Sequence, residues 1–199
     1  VLQEDAVRLG QEAARRLALS GAVEIRPGLT KAEFTEVETT FGFGFADDHR
    51  AFLAAGLPIN SHKPDEGAMW ERPWPDWRDA DEDELRRHLD WPTRGMLDGI
   101  EDGGWLRQWG TRPGSTSAAI EIAESALAQV PRLVPIYAHR FLPAGRGTYG
   151  GQVLSIWGTD IISYGSNLAE YIMNDFYELN DARHRSTAAP IPFWSDFIH

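Results

Sequence analysis

The chain of 199 residues contains no cysteine. That excludes disulfides, thiol catalysis and every Cys-ligated zinc site, and leaves packing alone to hold the fold. Also missing are an apolar run near the ~20 residues that cross a bilayer and a charged start followed by an apolar secretion core. Positive charge is scarce: 19 Lys and Arg against 30 Asp and Glu give a formal net charge of −11. Such a surface repels nucleic-acid phosphates and anionic lipid and favours basic partners. These absences fit a soluble protein of the reducing cytoplasm. The chain starts at Val1 rather than Met, which leaves room for a segment upstream.

The common signatures of catalysis are missing as well. None of the six His pairs at i, i+4, and there is no His-Glu-x-x-His and no Gly-x-Ser-x-Gly. "GRGTYG", Gly145 to Gly150, matches a dinucleotide fingerprint literally. It precedes a strand-like run rather than opening a helix, so it reads as a flexible hairpin loop. "DADEDELRRHLD" from Asp79 alternates carboxylates like a calcium loop but has Glu84 where the sharp turn needs Gly. It reads as a solvated helix start. The expectation is no metal and no cofactor.

Indoles are plentiful, with 8 Trp. Leu2, Ala6, Leu9, Ala13 and Leu17 recur at helical spacing up to Gly21. This stripe is thin and Ala-rich, which predicts a helix over 2–20 packed peripherally. Thr30 and Glu33 form a capping box, with Leu29 placed to staple onto Phe34. Asp47 is a candidate cap for a short helix carrying Phe52 and Leu53. Residues 60–79, rich in Pro and turn formers, read as a long loop stapled by Trp70, Trp74 and Trp77. Pro92 divides the next stretch into two short helices, the second around Met96, Leu97 and Ile100. A further helix carries Ile120, Ala123, Leu127 and Val130 on one face.

After Pro131 the period changes. "LVPIYA", "HRFLP", "QVLSIW" and "DIISYG" are short apolar runs separated by turn residues. They predict an antiparallel or mixed sheet of about four strands in the C-terminal half. A last helix carries Leu168, Tyr171, Ile172, Phe176 and Leu179, and the tail over 180–199 is apolar enough to dock back. Helices first, strands next and a final helix argue for one α+β domain with helices around the sheet.

Five blocks in order, "LTKAEFTEVETTFGFGFADDHRAFLAAGLP", "WPDWR", "LDWPTRGMLDGIEDGGWLRQWGTRP", "PRLVPIYAHRFLP" and "TDIISYG", resemble the SUKH superfamily, named partly for the Smi and Knr cell-wall regulators of yeast. The resemblance runs from Thr30 to about Phe176, with the domain core over about 30–179. It implies an α+β domain without a recognised catalytic centre, whose bacterial members are typically immunity proteins that neutralise a toxin, often a nuclease. Ala138 stands where Gly is usual, which predicts a backbone with no need of positive φ there, and Phe141 stands where Tyr is common.

The function so expected is a non-enzymatic protein-binding domain, an immunity protein or related regulator. Its partner would be a basic toxin domain, with no nucleic acid or membrane involved, and the oligomeric state stays open. An acidic, Trp-bearing surface made of Trp74, Trp77, Asp81, Glu82 and Asp83 is the candidate contact. His139 and Arg140 are read as structural polar residues at a strand junction, one satisfying a backbone or carboxylate partner and the other pairing with an acidic neighbour. Two alternatives remain. One is a carbohydrate-binding module with at least two of Trp70, Trp74 and Trp77 exposed. The other is a hydrolase built on His139 and carboxylates such as Asp160.

Overall fold

The Glu33 amide donates to Thr30 Oγ1 at 3.3 Å, and the Thr30 amide donates to the Glu33 carboxylate at 2.6 Å. This reciprocal cap satisfies two of the amides a helix start leaves free. It opens α2 (Lys31–Phe41), whose Phe34, Val37 and Phe41 are buried. Leu29 lies in the same apolar cluster as Phe34. A computed structural model describes residues 2–60, 69–177 and 189–198. Among them are six α-helices, a two-stranded sheet and a four-stranded antiparallel sheet, an α+β domain.

Helix α1 (Glu4–Ser20) is not peripheral. Its buried stripe, Ala6, Gly10, Ala13 and Leu17, packs against α3 (Asp47–Ala55) and α6 (Leu168–Phe176). The small residues bring two backbones together: a Cβ on Gly10 would stand 2.2 Å from the Asp48 carbonyl oxygen. A thin stripe here marks close approach, not a weak contact.

Asp47 does not cap α3. The cap position is Ala46, without a side-chain bond, because both Asp47 and Asp48 face the glycine loop. The Gly147 amide donates to Asp47 Oδ1 and the Gly150 amide to Asp48 Oδ2, each at 2.9 Å. The loop is therefore pinned rather than flexible. Two amides that would cradle a phosphate in a nucleotide loop are taken up by the protein's own carboxylates.

Pro92 does not split α4 (Glu82–Glu101), which runs through it. Pro92 withholds the amide owed to the His88 carbonyl, at roughly 3 kcal/mol in a helix interior. Leu85, Leu89, Met96 and Ile100 lie buried on both sides of it, and their burial in one continuous seam offsets that loss. Helix α5 (Thr116–Leu127) packs on α4. Strands β1 (Glu24–Arg26) and β2 (Leu57–Ile59) pair with Pro58 opposite Ile25. The sequence patterns give no sign of this pair, whose strands are too short for a period to show.

Strands β3 (Leu133–Tyr137), β4 (Arg140–Pro143), β5 (Val153–Trp157) and β6 (Asp160–Gly165) pair antiparallel in chain order. Val134, Ile136, Leu142 and Val153 share a core with Leu17, Phe34 and Tyr171. Leu133, Phe141, Leu154 and Ile156 share another with Met96, Leu127 and Trp194. With both faces covered, the strands read as continuous apolar runs instead of alternating ones.

The described part of the tail, 189–198, docks into the second core. Trp194 is buried and its Nε1 donates to the Pro131 carbonyl at 2.8 Å. Ile198 forms a parallel bridge with Ile161. Phe193 has φ 69 and ψ −57, and the Trp194 amide donates across it to the Pro192 carbonyl at 2.9 Å, a strained γ-turn. Leu179, expected on the face of α6, lies outside the described residues.

Candidate functional site

The indoles expected at a surface are in the core. Trp74 and Trp77 are 4% and 3% exposed. Trp74 stacks on Phe176 at 5.5 Å and meets Tyr137 at 4.7 Å. Trp77 stands edge-on to Phe45 at 5.3 Å and also meets Phe41 and Phe43. The Asn60 side chain exchanges two hydrogen bonds with the Trp74 backbone, at 2.7 and 2.9 Å, which holds Trp74 beside the end of β2. Neither ring can serve as a contact, and a sugar platform of Trp70, Trp74 and Trp77 is likewise ruled out. The "WPDWR" block is apolar because it is a staple.

The three carboxylates proposed beside them are exposed. Asp81 caps α4, with Oδ1 accepting from the Asp83 and Glu84 amides at 2.8 and 3.3 Å. Glu82 pairs with Arg86 at 3.4 Å. Asp83 lines a groove of about 860 Å³ between residues 69–72 and α4.

Trp70 and Trp91 line that groove, and a ridge of rings that no local pattern predicts continues from them beyond it to Trp157. Trp70 and Trp91 meet at 4.8 Å, Trp91 and Trp157 at 5.1 Å, and His139 stands edge-on to Trp157 at 6.0 Å. Trp91 Nε1 donates to the Ile156 carbonyl at 3.0 Å, which anchors the middle ring. The ridge ends in the open: Trp157 is 46% exposed and Met69 is 69% exposed. Position offers a signal for Trp157, the last residue of its strand before the Gly158-Thr159 turn, where a side chain leaves the covered part of the sheet. Trp91 gives none, because its neighbour across the groove is brought there by the loop.

His139 occupies the two-residue turn between β3 and β4, where Tyr137 pairs with Arg140. Its partner in that turn, Ala138, has φ 46. The expectation of an unstrained backbone there is wrong: the turn takes a left-handed residue, as such hairpins require, and this chain supplies it without Gly. His139 Nδ1 is buried without a hydrogen-bond partner among the described residues, so its expected polar partner is absent at that atom. Burial first, and the Arg140 charge second, push its pKa down to about 4. Burial beside the Trp157 indole, not a carboxylate partner, keeps the ring neutral.

Arg140 does pair with an acidic neighbour. Its Nη1 donates to Ser155 Oγ at 3.1 Å, its Nε lies 3.8 Å from Asp175, and its guanidinium covers the Tyr164 ring at 4.0 Å. Asp175 also accepts from the buried Tyr171 hydroxyl at 2.8 Å. Asp160 is exposed at the start of β6. Glu38, a buried carboxylate, accepts from the Phe45 amide at 3.1 Å and from Arg50 at 3.0 Å, and it pairs with Arg146. It ties the glycine loop to α2 and α3.

Among the described residues no three His, Asp or Glu side chains gather closely enough to hold a metal ion. No helix among them is long and apolar enough to cross a membrane. Comparison with protein-family models, with curated proteins and with solved structures finds no match.

Proposed function

We propose that this chain is a non-enzymatic protein-binding domain, an immunity protein or a regulator related to one, whose contact surface is the indole-lined groove along α4. The observation that carries the reading is the ridge from Trp70 through Trp91 to the half-exposed Trp157. Exposed Trp and Met beside Arg is the composition that concentrates binding energy in protein interfaces, and a polar rim around it excludes water. The acidic first turn of α4, with Asp81, Glu82 and Asp83 exposed, suits a basic partner, which a protein of charge −11 attracts at long range. The block resemblance to the SUKH superfamily supplies the class of partner, a toxin domain such as a nuclease acting in the cytoplasm.

The test is the gene beside this one. A neighbouring gene encoding a large protein with a toxin-like C-terminal domain is expected, and the two purified domains should form a stoichiometric complex that blocks the toxin's activity. Charge reversal at Asp81, Glu82 and Asp83 should weaken that complex and flatten its salt dependence. A toxin domain that neither binds nor loses activity in the presence of this chain refutes the reading.

A further inference from the structure

We infer that the outward seam of α4 pairs with the same seam of a second copy of this chain, antiparallel and related by a two-fold axis. Asp83, Arg87, Asp90 and Arg94 succeed one another at spacings of four, three and four residues, which keeps the four side chains on one stripe of the helix. All four are exposed, and their charges alternate. Along one helix such a series normally closes on itself, since Asp83 with Arg87 and Asp90 with Arg94 have ion-pair spacing. Among the described residues neither pair forms. Arg94 turns to Asp98 at 2.9 Å, and Asp90 reaches Arg132 only at 3.7 Å.

A second α4 laid antiparallel about an axis between His88 and Leu89 meets every one of these charges with its opposite. Asp83 faces Arg94 of the second copy, Arg87 faces its Asp90, and each contact occurs twice, as a two-fold interface demands. Met69 and Trp70 flank the seam and add apolar area. The charge of the whole chain is −11, so two copies repel across most approaches. The seam's two carboxylates and two guanidinia cancel, which makes it a face where copies meet without that repulsion.

This goes beyond the proposed function, because it needs no foreign protein. The seam is one wall of the groove, so self-association and capture of a partner compete. The experiment is sedimentation equilibrium of the full chain at low and high salt. The wild type should be a dimer that weakens with salt, and Arg87→Asp and Asp90→Arg should each be monomeric. An equimolar mixture of those two variants should form a heterodimer, and the double variant Arg87→Asp/Asp90→Arg should dimerise again. A wild type monomeric up to about 1 mM, or a dimer that Arg87→Asp leaves intact, overturns the inference and leaves the toxin-binding reading untouched. Folding of each variant is checked by its thermal melt.

Discussion

His88 Nε2 lies 2.7 Å from the Ala138 carbonyl, so a buried ring on α4 donates a hydrogen bond to the left-handed residue of the β3–β4 turn. The Ala138 amide in turn donates to the Pro73 carbonyl at 2.7 Å. Helix, hairpin and indole loop converge on one strained peptide unit. Left-handed φ costs an L-residue about 1–2 kcal/mol, while Gly loses roughly 0.5–1 kcal/mol more chain entropy on folding. Ala138→Gly should therefore stabilise the protein by up to about 1 kcal/mol, read as a higher urea midpoint at unchanged slope. A lower midpoint would show that the positive φ is not a source of strain.

Gly10→Ala should act in the opposite direction. In an exposed helix this change gains about 1 kcal/mol. Here the new Cβ would meet the Asp48 carbonyl oxygen at 2.2 Å and Ala51 Cβ at 2.7 Å, forcing α1 off α3. The expected loss is about 2 kcal/mol or more, measured by denaturant unfolding. A neutral or stabilising result would mean that the two helices are not in contact.

Legibility in the sequence followed the range of the interaction. The capping box of Thr30 and Glu33 and the four strands after Pro131 were legible because each rests on neighbours in the chain. Pro92 misled because the burial of Leu89 and Met96 on either side of it is a tertiary effect. Trp74 and Trp77 misled because an indole in a Pro-rich loop looks the same whether it closes a core or greets a partner. The ridge was not legible: Trp70, Trp91 and Trp157 come from a loop, a helix and a strand, and only packing brings them together.

Acid should unfold this protein through its histidines before its surface carboxylates titrate. Burial alone pushes the pKa of His49 down to about 3, and burial pushes His88 down to about 4 against the opposing bond to Ala138. Both folded values lie below the unfolded one, near 6.5. Stability from the neutral rings is therefore complete above pH 6.5 and is lost as pH falls towards the folded values. Between about pH 8 and about pH 5 each ring should cost about 2 kcal/mol. Asp48 opposes this in part, since burial raises its pKa and lets the folded state bind a proton early. His88→Gln, which keeps a donor for Ala138 without titrating, should flatten the pH dependence of the urea midpoint. An unchanged slope would place the proton uptake elsewhere.

Trp74 and Trp157 should separate folding from recognition. Trp74 is 4% exposed and lies among Tyr137 and Phe176, so Trp74→Ala opens a large cavity and should cost about 3–5 kcal/mol. Trp157 is 46% exposed at the end of its ridge and rests on Trp91 and His139. Its removal gives up only part of an indole's burial, about 1 kcal/mol. If the ridge is the contact, Trp157→Ala should still weaken a toxin partner tenfold or more, the loss typical of a Trp hot spot. Urea melts and calorimetric titration of the folded protein give the two quantities independently. Unchanged affinity in a folded Trp157→Ala variant would move the contact off the indole ridge and back to the acidic first turn of α4 alone.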